Sequence, residues 1–150
     1  KAFLPQLESK EHAHIVNVSS IFGVVGMPSQ SSYCASKFAV RGLSESLRIE
    51  LADKDIGVTS VHPGGVRTGI AKDARTSGEH YERQKLRSIR FFEEKAMAPE
   101  RIADAIVRSV RKNQGRLVIT PEAHLLDLAQ RTWPSGLGTL IRWGRKRLRA

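Results

Sequence analysis

Short β-branched runs alternate along this chain with longer stretches in which apolar residues recur every three or four positions. HIVNVSS (14–20) has the length and composition of a buried strand. A loop with Gly and Pro, IFGVVGMPSQ, follows it. From Ser31 or Ser32 the spacing turns helical. Ala35, Phe38, Ala39, Gly42, Leu43, Ser46, Leu47 and Leu51 fall on one stripe, which predicts the face that a helix turns to the core. The helix fades at DKDIG, and GVTSVHPG (57–64) predicts a second buried strand, closed by Pro63. Residues 65–98 are polar, mixed in charge and weakly periodic, with Gly69 and Gly78 as breakers. MAPERIADAIVRSVRKNQG then predicts a helix with Pro99 in its first turn, Glu100 at its positive end, Arg111 and Lys112 at its negative end, and Gly115 as its stop. RLVIT (116–120) predicts a third strand, and Pro121 opens a last helix over 122–132. Strand, helix, strand, helix, strand at these lengths predicts an α/β fold with a parallel sheet, right-handed crossovers and helices on both faces.

Composition narrows the partners. The chain has 150 residues, 40% of them hydrophobic, enough for one globular domain with a core. No apolar run approaches the ~20 residues of a membrane span. The net charge is +10, but six of the cations lie after residue 127 (Arg131, Arg142, Arg145, Lys146, Arg147 and Arg149), where there is no acid, leaving +4 on residues 1–127. Basicity is thus a property of the C-terminal segment, and no basic recognition element for nucleic acid is present. A single cysteine, Cys34, suits a reducing compartment and reads as a small buried hydrophobe, so the expectation is a cytoplasmic protein. His12 and His14 are the only close pair of histidines, with no further ligands patterned around them, and no metal site is expected.

The candidate chemistry begins at SSYCASKFAV (31–40). Tyr33 and Lys37, four apart, share a helix face. A nearby ammonium favours the ionised form of a phenol, which can then exchange a proton with an alcohol or ketone. Small residues between them (Cys34, Ala35, Ser36) let a flat molecule approach. Spacing alone is a weak signal. The neighbourhood strengthens it, because Ser20 ends the strand thirteen residues before Tyr33, and HPGGVRTGI follows thirty residues after it.

Taken together, IVNVSSIFG, PSQSSYCASKFAVRGLSESLRIEL and GVTSVHPGGVRTGI resemble the single-domain branch of the short-chain dehydrogenase/reductase family, clearly over residues 1–70 and more thinly over 98–120. The resemblance implies the C-terminal portion of a doubly wound, parallel-sheet Rossmann-like domain whose N-terminal half is absent from this chain. It implies Tyr33 as general acid/base, Lys37 as the cation that lowers its pKa and binds the nicotinamide ribose, and Ser20 as the group that holds the substrate oxygen. Ser19, on the other strand face, ranks second. Pro63, Gly64, Val66 and Thr68 would hold the carboxamide of NAD or NADP. The ordinary alternatives are a strand-end cap for Ser20 and a helix N-cap for Thr68. Residues 65–98 would be a mobile segment over an alcohol or carbonyl substrate, with Tyr81, Phe91 and Phe92 as candidate cavity residues. The full-length protein would be a homo-oligomer.

The glycine-rich turn that cradles a dinucleotide pyrophosphate is absent from the sequence, and GVVG (23–26) stands in the wrong context to replace it. KAFLPQLESKEH, without an initiator Met, reads as the end of a helix already under way. The expectation is a fragment comprising 1–127, half of a Rossmann-like domain, and 128–150, a basic tail. With one sheet edge unpaired, it would be poorly soluble or dimeric and inactive alone. Two other readings stay open: a cofactor-free interaction module, and an epimerase or dehydratase of the extended branch. The tail SGLGTLIRWGRKRLRA could be a solvated end, a helix on a partner subunit, or a basic amphipathic helix in peripheral contact with a membrane.

Overall fold

Alternation along three short strands decides which helix covers which face of this protein. The computed structural model describes residues 2–74 and 78–147. Its elements run α1 (Leu4–Glu8), β1 (Ala13–Val18), α2 (Ser31–Glu50), β2 (Ile56–Pro63), α3 (Glu79–Glu94), α4 (Pro99–Arg111), β3 (Arg116–Ile119), α5 (Pro121–Thr132) and α6 (Pro134–Arg147). The strands are parallel in the order β1-β2-β3, with Val18 opposite Val61 and Pro63 opposite Ile119. The expected parallel α/β sheet is present. Because all three strands point the same way, the loops leaving Val18, Pro63 and Ile119 gather at one edge. In α/β sheets that edge is where ligands bind.

On β2, Ile56 and Val58 pack with Leu4 and Leu7 of α1 and with Leu47 and Leu51 around the end of α2. Val61 packs instead with Ile102 of α4 and Ile119 of β3. A third cluster joins Ile21, Val24 and Val25, just after β1, to Ala123 of α5 and Leu137 of α6. The segment 128–150, read from sequence as a basic tail, therefore starts inside α5, and its next helix is anchored in the core.

The stripe on α2 is a correction. Leu47 is half-buried and Leu51 buried, but Ala35, Phe38, Ala39, Gly42, Leu43 and Ser46 are exposed. The face turned to the sheet carries Cys34, Lys37, Ser44 and Arg48 instead. Three of these bond to the strands: Lys37 Nζ donates to the Val18 carbonyl, Arg48 Nη1 donates to the Val58 carbonyl at 2.8 Å, and Asn17 Nδ2 donates to Ser44 Oγ at 3.1 Å. The apolar period is real, but only its C-terminal end, at Leu47 and Leu51, meets the core.

Two further differences have local causes. Residues 65–98 contain the sixteen-residue helix α3, which begins after Gly78 (φ 94°). Its charged residues are good helix formers, and their weak apolar period hid it. At the end of α4 the left-handed residue is Asn113 (φ 46°), and Gln114 N–H returns to the Ser109 carbonyl at 2.9 Å. Gly115 serves another need, since a Cβ there would come within 2.6 Å of Arg48 Nε.

Gly23 stands where the loop after β1 crosses the main chain of α2. A Cβ on it would strike Ser19 Oγ and come within 2.6 Å of the Lys37 carbonyl oxygen, which is main chain. Gly23→Ala is expected to cost about 1–3 kcal/mol, read as a lower urea midpoint with an unchanged slope.

Candidate active site

The site is built where β1 ends. Ser19 N–H extends the sheet ladder by one bond, to the Val61 carbonyl at 2.8 Å, and its Oγ donates to the Lys37 carbonyl at 2.8 Å. Ser20 is extended, and its Oγ accepts the Phe22 N–H at 3.1 Å, which starts the short 3-10 turn Ile21–Gly23. The cap reading of Ser20 is therefore correct as structure. It leaves the hydroxyl proton available, because the oxygen is used as an acceptor.

Tyr33 and Lys37 occupy the first two turns of α2. Lys37 Nζ donates to the Val18 carbonyl at 3.1 Å and lies 5.5 Å from the Tyr33 ring centroid. Phe22 meets the same ring edge-on, with centroids 6.2 Å apart and planes at 89°. One residue thus touches both candidates, since Phe22 donates its N–H to Ser20 and packs its ring on Tyr33. Ser20, Tyr33 and Lys37 are brought to one corner at the C-terminal end of β1. Cys34 points into the protein, where its Sγ accepts the Met27 N–H at 3.4 Å.

The second wall is the turn after β2. Gly64 N–H donates to the Ile119 carbonyl and Gly65 N–H to Glu122 Oε1, both at 3.1 Å. A Cβ on Gly64 would strike both Glu122 Oε1 and Thr120 Oγ1. Val66 pairs with Met97, but the bonds are made by its neighbours. Met97 N–H donates to the Gly65 carbonyl and Arg67 N–H to the Met97 carbonyl, each at 2.9 Å. In a parallel bridge of this kind the amide and carbonyl of Val66 itself face the other way. Thr68 occupies the cap position of the Gly69–Ala71 turn without making a side-chain cap bond, and it lines a cavity of about 250 Å³ with Arg67, Lys72 and Glu93. Phe91 of α3 reaches the turn, its ring edge 2.8 Å from where a Gly65 Cβ would stand. The side chains of Tyr81 and Phe92 lie outside the described residues.

Two residues of this corner were not singled out from sequence. His62 is fully buried on β2, with Nε2 2.8 Å from Ser60 Oγ and Nδ1 3.1 Å from the Ser20 carbonyl. A carbonyl can only accept, so Nδ1 carries the proton and Nε2 accepts from Ser60. Burial pushes the imidazole below its ordinary 6.5, against the opposing pull of its bond to Ser20. Glu122, in the first turn of α5, is the other. Partial burial would raise its carboxyl, but the Thr120 side chain, its own N–H and the Gly65 N–H together hold it below 4.5. Thr120 acts there by proximity rather than through a well-aligned bond, and its hydroxyl has no hydrogen-bond partner. A histidine inside a run that reads as a buried strand was the available sign for His62. For Glu122, which looks like any first-turn acid, there was none. Among the described residues no three His, Cys, Asp or Glu side chains gather as metal ligands.

The sequence of residues 1–79 matches the family profile of the short chain dehydrogenases, and the chain belongs to that family. It is 40% identical over 148 residues to SadH of Mycobacterium tuberculosis, named as an oxidoreductase, covering 96% of this chain and 52% of that protein. It is 36% identical over 143 residues to a 3-ketodihydrosphingosine reductase of Bacteroides thetaiotaomicron, covering 89% and 53%. Among solved structures, a short-chain dehydrogenase/reductase from Burkholderia phymatum in complex with NAD superposes with a TM-score of 0.73 at 26% identity, over 86% of this chain and 50% of that one. A short-chain dehydrogenase from Burkholderia cenocepacia in complex with NADP has the same fold, with a TM-score of 0.73 at 24% identity, over 93% and 51%. The chain spans about half the length of these relatives.

Neutral His62 gives the site a pH signature. Its folded pKa lies below the unfolded 6.5, so its stabilisation is complete above about pH 6.5 and is lost as pH falls through the folded value. His14, lowered by burial and by Arg48, adds in the same direction. Urea midpoints measured between pH 8 and 5 are expected to fall on the acid side. His62→Asn should flatten that fall, leaving only the share of His14.

Proposed function

We propose that this chain carries the acid/base half of an NAD(P)-dependent oxidoreductase that interconverts an alcohol and a carbonyl compound. The observation that supports this best is the convergence of Ser20, Tyr33 and Lys37 at the end of β1, tied together through Phe22 and the Val18 carbonyl. In the direction of reduction, Tyr33 gives its phenolic proton to the carbonyl oxygen as hydride reaches the carbon. In oxidation it takes the proton back. Ser20 donates its hydroxyl proton to the same oxygen, and its own orientation is fixed from two sides, by Phe22 N–H and by His62 beneath its carbonyl. The Lys37 ammonium stabilises negative charge that develops on the phenol oxygen.

The residues present fit the nicotinamide end of the cofactor. A carboxamide needs one acceptor and one donor, and Val66 has a carbonyl and an amide turned away from Met97. Pro63 and Gly64 would set the turn beside it, Lys37 would bond a ribose hydroxyl, and Thr68 would complete the set. When bound, the nicotinamide supplies or accepts the hydride. The same reading makes the protein a homo-oligomer, with the exposed α2 stripe of Ala35, Ala39, Gly42 and Leu43 as the contact, because its small residues permit close helix approach.

Tyr33→Phe, made in the polypeptide at its natural length, is expected to lower kcat for carbonyl reduction by about 10²–10⁴-fold while the Kd for NADH or NADPH stays within a few-fold. Unchanged biological activity in that variant would reject the enzyme reading in favour of an interaction module. On the stripe, Leu43→Glu is expected to reduce the mass measured by light scattering toward that of one chain.

A further inference from the structure

We propose that the outer surface of α5 and α6 docks on an anionic lipid bilayer. Leu125 and Leu128 lie three apart on α5, as do Leu140 and Trp143 on α6, so each pair shares a helix face. Trp133 stands at the junction, its indole laid across Gly136. All five residues are more than half exposed. On its inward side α6 is held by Leu137 and Ile141, which pack on Ile21, Val24 and Val25. The outward face is therefore presented by a helix that the core keeps in place.

Charge decides what this face meets. Both acids of α5 are engaged: Glu122, three before Leu125, accepts the Gly65 N–H, and Asp127, the last acid in the chain, is nearly buried and paired with Arg116 and Arg131. Beyond it there is no Asp or Glu, while Arg142, Arg145, Lys146, Arg147 and Arg149 follow. Tryptophan and leucine among clustered cations is the composition of a helix that lies in a headgroup layer, with the rings at the acyl boundary and the cations on lipid phosphates. A second copy of this chain fits less well, because a two-fold contact would set the same cations against themselves. Nucleic acid would pair with the cations but leave Leu125, Leu128 and Leu140 facing water. No described helix is long and apolar enough to cross a membrane, so the contact is peripheral.

Docking would also orient the molecule. Ile141 and Arg142 line a cavity of about 460 Å³ with Met27, Pro28, Ser31 and Cys34, on either side of Tyr33 in sequence. A bilayer under α6 would hold that cavity at the lipid boundary. The proposal does not depend on the reaction assigned to Tyr33.

The test is flotation of the polypeptide at its natural length with phosphatidylcholine vesicles, with and without about one quarter phosphatidylserine. Binding is expected only with phosphatidylserine and should weaken as salt is raised. Leu140→Glu and Trp143→Glu, at exposed positions, should each reduce the bound fraction roughly tenfold with the circular dichroism spectrum unchanged. Leu125→Glu tests α5 in the same way and keeps the proposal open to refutation should either α6 variant misfold. Failure to float with phosphatidylserine, or equal flotation of well-folded variants, would overturn it. So would a Leu140-dependent change in oligomeric mass without lipid binding, or retention on DNA that ignores the leucines.

Discussion

Lys37 is fastened to the sheet at both ends. Its ammonium donates to the Val18 carbonyl, and its own carbonyl accepts from Ser19 Oγ. The two bonds join consecutive steps of the β1 terminus to one turn of α2, and so fix the height and rotation of that helix against the strand. Tyr33, one turn earlier, inherits its position from them. Gly23 follows from the same constraint, because the returning chain must cross where Ser19 and Lys37 meet and there is no room for a Cβ. A lysine expected from its neighbours to act on a phenol and a ribose is also a structural fastener, and its substitution removes both roles at once.

The loop that carries Ser20 depends on this joint and on three more distant elements. Its carbonyl rests on His62 of β2, and its apolar residues Ile21, Val24 and Val25 rest on α5 and α6. The corner is thus assembled from segments more than one hundred residues apart in the chain. Opposite it, Glu122 of α5 holds the Gly65 amide of the turn after β2, so α5 contributes to both walls. The C-terminal helices are buttresses of the site, and the excess of cations begins only with the second of them, at Arg142.

Much of this was legible in the sequence. The β-branched runs gave the three strands within a residue or two, and the Tyr33–Lys37 spacing with Ser20 upstream gave the corner. What was not legible has a common physical origin. Apolar period reports that a face avoids water, not what covers it. On α2 the sheet side carries Cys34, Lys37, Ser44 and Arg48, the last three bonded to strand groups, so the stripe faces the other way except at its Leu47–Leu51 end. His62 and Glu122 act through hydrogen bonds to main chain distant in sequence, which no local pattern encodes. Helix α3 was hidden by its charge, and the left-handed residue after α4 is Asn113, while Gly115 makes room for Arg48.

Among the described residues no strand pairs with the outer edge of β1, where Val18 is exposed beside the very carbonyl that Lys37 engages. An open edge is defined by hydrogen-bond register rather than by chain connectivity. A strand could join it from the same polypeptide or from a separate one. The corner of Ser20, Tyr33 and Lys37 lies on one side of that seam. A strand seated on that edge would lie beside the carbonyl that Lys37 engages, so whatever completes the sheet would also press on the corner that Lys37 holds.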